Sequence, residues 1–166
     1  MQPVTNAKPL DPEALATIGI FGGLPPEVLT DLGRLHQLQV SVGDVCFREG
    51  DQAREMYVVL QGELEVTKKS RSGHDGRVAL LGTHDWFGEM GLVDIQARSA
   101  TVRALAPALL LRISAQDLDS LYRRDVKSYA LFVLNLCREL SRRLRVADGI
   151  MADLIDHSTQ WVSRGR

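Results

Sequence analysis

Phe87-Gly88-Glu89-Met90-Gly91-Leu92-Val93, followed five residues on by Arg98-Ser99-Ala100-Thr101-Val102, is the stretch on which the reading of this chain turns. It sets one carboxylate and one guanidinium nine residues apart, with a glycine before the acid and small residues after the base. Such a set suits a pocket for a small, cyclic, singly charged phosphate ester. Arg98 can offer a planar fork of donors to two phosphate oxygens. Glu89 can accept a hydrogen bond from a sugar hydroxyl. Gly88, Ser99 and Ala100 let backbone N–H groups approach an anion that a bulky Cβ would hold away. In a chain that is 25% charged, the alternative is an ordinary surface ion pair between Glu89 and Arg98.

Around this stretch the segments are short and punctuated by turns. Gly43-Asp44, Glu49-Gly50-Asp51 and Gln61-Gly62 separate runs of strand length between His36 and Ile113. Glu63-Leu64-Glu65-Val66-Thr67 alternates polar and apolar, as a strand with one wet face does. Ser70 to Gly76 reads as a flexible hairpin tip. Eight or so strands, with no room for crossover helices, imply a mainly β fold with flanking helices. The specific expectation is a double-stranded β-helix, or jelly-roll barrel, over about 36–113. Residues 1–19 read as a partly flexible lead and 20–166 as one domain.

Short N-terminal helices precede the barrel. Pro25 and Pro26 suit the first turn of a helix over Glu27–Leu35. After the barrel, Ser114 caps a helix from Ala115 to about Tyr122. A second helix starts near Asp125, the pair covering about 115–156. Its apolar positions Val126, Ala130, Val133, Cys137, Leu140, Leu144, Ala147, Met151 and Leu154 alternate steps of four and three, a heptad seam. In its first half, where Leu131, Phe132, Leu134 and Leu136 add a second apolar face, the seam is expected to pack on the barrel. Beyond Leu144 a dimeric coiled coil and packing on the barrel stand as equal readings.

The opening stretch resembles the phosphate-binding cassette of the cyclic nucleotide-binding domain family. Val40 to Asp51 resembles that family's first strands and turns, and Met56 to Val66 the hairpin that follows. Ser114-Ala115-Gln116-Asp117-Leu118 resembles the start of the helix after the barrel. The likeness runs over roughly residues 20–145. His84 departs from it, standing before Asp85 where the family usually has glycine, so the loop into the cassette is expected to be stiffer.

The resemblance implies a sensor that binds a cyclic mononucleotide and signals through its C-terminal helices. Cyclic AMP is the first choice, with cyclic GMP or a cyclic dinucleotide as alternatives; a ligand-free interaction scaffold is the rival of another class. It implies that Arg98 pairs with the cyclic phosphate, assisted by N–H groups near Gly88, Ser99 and Ala100, that Glu89 accepts from the ribose 2′-hydroxyl, and that Met90 belongs to the site. Arg138, Leu140 and Arg142 are candidates for the lid over the base, and Tyr122-Arg123-Arg124-Asp125 for the hinge between the two helices. Ser99 does not choose the base, since relatives use a hydroxyl there for either guanine or the phosphate.

Other chemistries find little support. His36, His74, His84 and His157 are scattered, with no metal-ligand spacing. No nucleophile elbow or phosphate-binding P-loop is present, so no catalytic residue, metal or cofactor is expected. Two cysteines, Cys46 and Cys137, read as inert core thiols of a cytoplasmic protein. The first ten residues do not form a signal peptide, and no run reaches membrane-span length. Arg138, Arg142, Arg143 and Arg145 read as a solvated face, and a net charge of −1 argues against nucleic acid. With Ile155 to Arg166 too short for a DNA-reading module, the chain reads as a sensor acting through an unknown effector, or as a domain of a longer protein.

Overall fold

The computed structural model describes residues 1–70 and 73–164, with side chains through Asp156. Arg71 and Ser72 of the expected hairpin tip, and the side chain of His157, lie outside the described residues. Among the described residues the turn glycines and apolar alternation produce nine strands: β1 Gln2–Pro3, β2 Gln37–Val40, β3 Val45–Phe47, β4 Glu55–Gln61, β5 Leu64–Lys69, β6 Asp75–Leu81, β7 Trp86–Phe87, β8 Thr101–Ala104 and β9 Ala108–Ser114. They form two antiparallel sheets, ordered β1-β2-β9-β4-β7 and β3-β8-β5-β6. Tyr57, Val59 and Leu110 of the first sheet meet Leu64, Leu81 and Val102 of the second in one apolar cluster. The result is the expected jelly roll, built as two facing sheets. A bulge between Val45 and Phe47, where β3 meets β8, lets Cys46 and Phe47 both reach this cluster.

The helices are α1 Pro12–Ala16, α2 Pro26–Leu32, α3 Met90–Val93, α4 Ala115–Arg124 and α5 Val126–Arg164, with a 3₁₀ turn at Gly19–Phe21. The lead is tied to the domain: Gln2 and Pro3 pair with β2, Asp11 caps α1, and Leu15 and Ile18 are buried. Helix α2 stops at Leu32, short of the expected Leu35. A Cβ on Gly33 would lie 2.7 Å from the Leu10 carbonyl oxygen, so the close approach that docks the lead also ends the helix. Ser114 caps α4 in a reciprocal box with Asp117.

Asp125 alone separates α4 from α5, and its carboxylate accepts from the Lys127 and Ser128 N–H groups and the Ser128 hydroxyl. The break therefore falls at the end of the expected hinge, as an N-cap. Helix α5 is 39 residues, about 60 Å at 1.5 Å per residue. Its barrel-facing side is not the predicted seam. Ser128, Phe132, Asn135 and Leu136 are buried, whereas Val126, Ala130, Val133, Cys137, Leu144, Ala147, Met151 and Leu154 are exposed and Leu140 is half-buried. The expectation that the first half of the seam packs on the barrel is thus overturned. So is the expectation that Cys137 is a core thiol; Cys46 is buried, which pushes its pKa up to about 12. The buried side instead carries polar groups with dedicated partners, Asn135 donating through Nδ2 to the Ile20 and Gly22 carbonyls.

His84 occupies the left-handed region at φ 76°, with its N–H bonded to the Val59 carbonyl. A side chain there costs about 1–2 kcal/mol. His84→Gly is expected to stabilise the domain by about 1 kcal/mol, less than the full relief because glycine also loosens the unfolded chain. Chemical denaturation of the two proteins measures it; a stability loss would contradict the strain.

Candidate functional site

Two buried charges define the site. Glu89 follows β7 at the start of α3 and is 4% exposed; Arg98 lies just before β8 and is 5% exposed. Neither is part of the ordinary surface ion pair that spacing alone allowed.

Arg98 is fixed on three sides. Its Nη1 donates to the Glu55 carbonyl at 2.8 Å and the Gly88 carbonyl at 2.9 Å. Its guanidinium lies over the Phe47 ring at 3.9 Å, and Tyr57 stands 5.9 Å away. Phe47, Tyr57 and Phe87 form an aromatic trio beneath it, with centroids 5.2–6.3 Å apart. Such face contacts favour a cation. Burial nevertheless pulls the Arg98 pKa down, against the pull of Tyr57, Glu55, Asp51 and Glu89. Nε is buried and has no hydrogen-bond partner among the described residues. A buried donor left in that state costs about 1–3 kcal/mol, more for a charged group.

Gly88 acquires a different meaning from the one its sequence suggested. At φ 82° a Cβ would fall 2.5 Å from Arg98 Nη1. The glycine makes room for the arginine itself. Behind it, Glu55 accepts from the Tyr57 hydroxyl and pairs with Arg112. Burial would raise the Glu55 pKa, but those hydrogen bonds bring it below the ordinary value.

Glu89 is held by a residue that pattern reading did not single out for the site. Arg143 of α5 donates from Nη1 to Glu89 Oε1 at 3.3 Å, from Nη2 to the Trp86 carbonyl at 3.1 Å, and from Nε to Glu139 at 3.3 Å. Burial raises the Glu89 pKa; its own backbone N–H, Arg143 and Arg98 oppose the rise. A cavity of about 490 Å³, within the usual range for small ligands, brings together Gly88, Glu89, Met90, Arg98, Ser99 and Ala100. Of the lid candidates only Arg142 lines it. Arg138 instead donates to Asn135, and Leu140 joins the core cluster around the N-terminal helices. From α5 the wall also takes in Glu139, Arg143, Val146, Ala147 and Ile150, faced by Val78 and Leu80 of β6. No local pattern set Arg143 apart from the basic cluster around it, since the carboxylate it serves lies 54 residues away in sequence.

The cyclic nucleotide-binding domain family matches residues 37–125, and the chain belongs to that family. It is 35% identical over 130 residues to the cyclic AMP receptor protein of Thermus thermophilus, covering 78% of this chain and 58% of that protein. It is 28% identical over 144 residues to a CRP-like cAMP-activated global transcriptional regulator of Mycobacterium tuberculosis, covering 86% and 62%. A solved cyclic nucleotide-binding domain from Methylobacillus flagellatus superposes with a TM-score of 0.73 at 25% identity, covering 80% of this chain and 75% of that one. The chain thus spans about 60% of the length of these two curated relatives, one named a receptor protein and the other a transcriptional regulator. No helix among the described residues is long and apolar enough to cross a membrane.

Glu89 is expected to titrate above the ordinary carboxylate range, and Arg143→Ala to raise it further, because the substitution removes an opposing positive charge. Carbon-detected NMR of the side-chain carboxyl follows both. A Glu89 pKa at or below the ordinary value would contradict the burial.

Proposed function

We propose that this domain binds cyclic AMP in the 490 Å³ cavity and transmits occupancy through α5 to an effector. The observation that carries the reading is the unpartnered Nε of a buried Arg98 at the cavity wall. Its face is taken by Phe47 and one nitrogen by two carbonyls, so the remaining donors are left for an anion. A cyclic phosphate supplies one charge and two exocyclic oxygens, which match that fork. Ser99 and Ala100 follow the arginine along the same wall. Glu89 accepts from the ribose 2′-hydroxyl, in competition with Arg143 for the same carboxylate. Cyclic AMP is preferred over cyclic GMP because two relatives named for cyclic AMP match most of the chain and the wall from β6 is apolar, Val78 to Leu81.

The ligand reaches α5 through Arg143, so displacing the Glu89 contact changes what holds that helix to the cassette. Asp125 supplies the break about which α5 moves relative to α4. A ligand shifts such an equilibrium only by its different affinity for the two helix positions. Titration calorimetry is expected to show cyclic AMP binding tighter than cyclic GMP. Arg98→Ala should weaken it by at least about 3 kcal/mol, the order for breaking a buried ion pair. Absence of heat from both nucleotides at protein concentrations well above micromolar would overturn the reading.

A second copy of the chain is the proposed partner of the exposed seam. Val126, Val133, Leu144, Met151 and Leu154 are all at least 36% exposed on the side of α5 away from the barrel. An apolar stripe of that length is costly in water, and its alternating spacing is self-complementary. Sedimentation at tens of micromolar is expected to give a dimer, and Leu144→Glu with Leu154→Glu a monomer. If the unaltered chain sediments as a monomer there, the seam does not dimerise.

A further inference from the structure

We infer that Arg143 is shared across the dimer, between Glu89 of its own protomer and Asp148 of the partner subunit, so that each nucleotide site borrows a charge from the other chain. The inference rests on the dimer reading. Taking Ala130, Cys137, Leu144 and Met151 as one core row and Val126, Val133, Leu140, Ala147 and Leu154 as the other fixes every flanking position. One flank is Tyr129, Leu136, Arg143 and Ile150; the other is Leu134, Ser141, Asp148 and Ile155. In a parallel pair each residue of the first flank meets the residue five positions later on the partner's second flank. Arg143 therefore meets the partner's Asp148, twice by symmetry, and is the one oppositely charged combination in the register. In an antiparallel pair each flank faces its own kind, with no such match.

The first flank borders the cavity: Arg143 and Ile150 line it. Asp148 does not line the cavity of its own protomer; it is exposed and, among the described residues, makes no hydrogen bond or ion pair. Arg143 uses one donor each for Glu89, Glu139 and the Trp86 carbonyl, which leaves N–H groups of the guanidinium for another acceptor. The basic residue Arg145, which would otherwise crowd the interface, falls outside both flanks. Coupling between nucleotide and dimer follows by linkage: whatever draws Arg143 from Glu89 alters its hold on the partner's Asp148, and the reverse.

The test is a charge swap in the full chain, read by sedimentation. Asp148→Arg and Arg143→Asp are each expected to weaken the dimer by about fivefold or more, and the double swap to restore it to within about twofold. Single variants that dimerise like the unaltered chain, or a double variant no better than the singles, overturn the pairing. A monomeric unaltered chain overturns the dimer reading and the pairing with it. A dimer sensitive to Leu144→Glu but not to Asp148→Arg overturns the pairing alone. Because Arg143→Asp also disturbs Glu89, a second measurement uses Asp148→Arg by itself with fluorescently labelled cyclic AMP. Its affinity is expected to differ from that of the unaltered chain above the dimer midpoint and to match it on dilution below. Equal affinities in both regimes, or an equal difference in both, show that Asp148 does not act through the partner.

Discussion

The fold is arranged around a buried guanidinium that its own protein leaves incompletely satisfied. Removing a cation from water costs several kcal/mol unless other groups replace the lost solvation. Arg98 receives part of that from the Phe47 face and from two carbonyls, each on a different element. The bulge in β3 brings Phe47 inward, β4 carries the Glu55 carbonyl and Tyr57, and the residue after β7 contributes the Gly88 carbonyl and the space where a Cβ would collide. Two strands and a turn thus converge on one side chain. Nε is the donor they omit. A structural arginine in this position would have acquired an acceptor, since Glu55 is close enough to influence its charge but is occupied by Tyr57 and Arg112.

Glu89 mirrors this arrangement with opposite sign. Its burial favours the neutral carboxyl, and a cation that opposes this comes from a helix more than fifty residues away, through a 3.3 Å contact. The two charges do not neutralise each other directly: Arg98 is held by carbonyls and aromatic rings, Glu89 by α5. That separation lets the cassette bind an anion at one end and report on a distant helix at the other.

What could be read from sequence follows from which interactions are local. Gly88-Glu89, Arg98-Ser99-Ala100, the Ser114 cap with Asp117 three residues on, and the turn glycines are short-range patterns, and the structure brings those cassette residues to one cavity wall. Helix α5 misled for a physical reason. Its barrel face contains Ser128 and Asn135, polar residues buried because Asp125 and the Ile20 and Gly22 carbonyls satisfy them. Hydrophobic periodicity marked Phe132 and Leu136 as a second apolar face but could not register these polar members, so the unbroken, exposed seam took precedence. The same error placed Cys137 in the core. Arg143, lost within a basic cluster, acquires its meaning only from the carboxylate opposite it.

Helix α5 therefore carries two separate codes. One face, specified by hydrogen bonds and aromatic packing, fixes the helix to the N-terminal turn and to the cassette. The other is apolar at heptad spacing and, apart from Leu140 in the core cluster and Ala147 at the cavity, stands away from the barrel. A helix that needed only to cover the site could have been polar on its outer side, as solvent-facing surfaces of amphipathic helices are. Arg143 stands on the border between the two faces, bonded to Glu89 on one side and flanking the seam on the other. A rotation or shift of α5 that improved packing along the seam would move Arg143, by which that helix holds the Glu89 carboxylate, so the two codes cannot be satisfied independently.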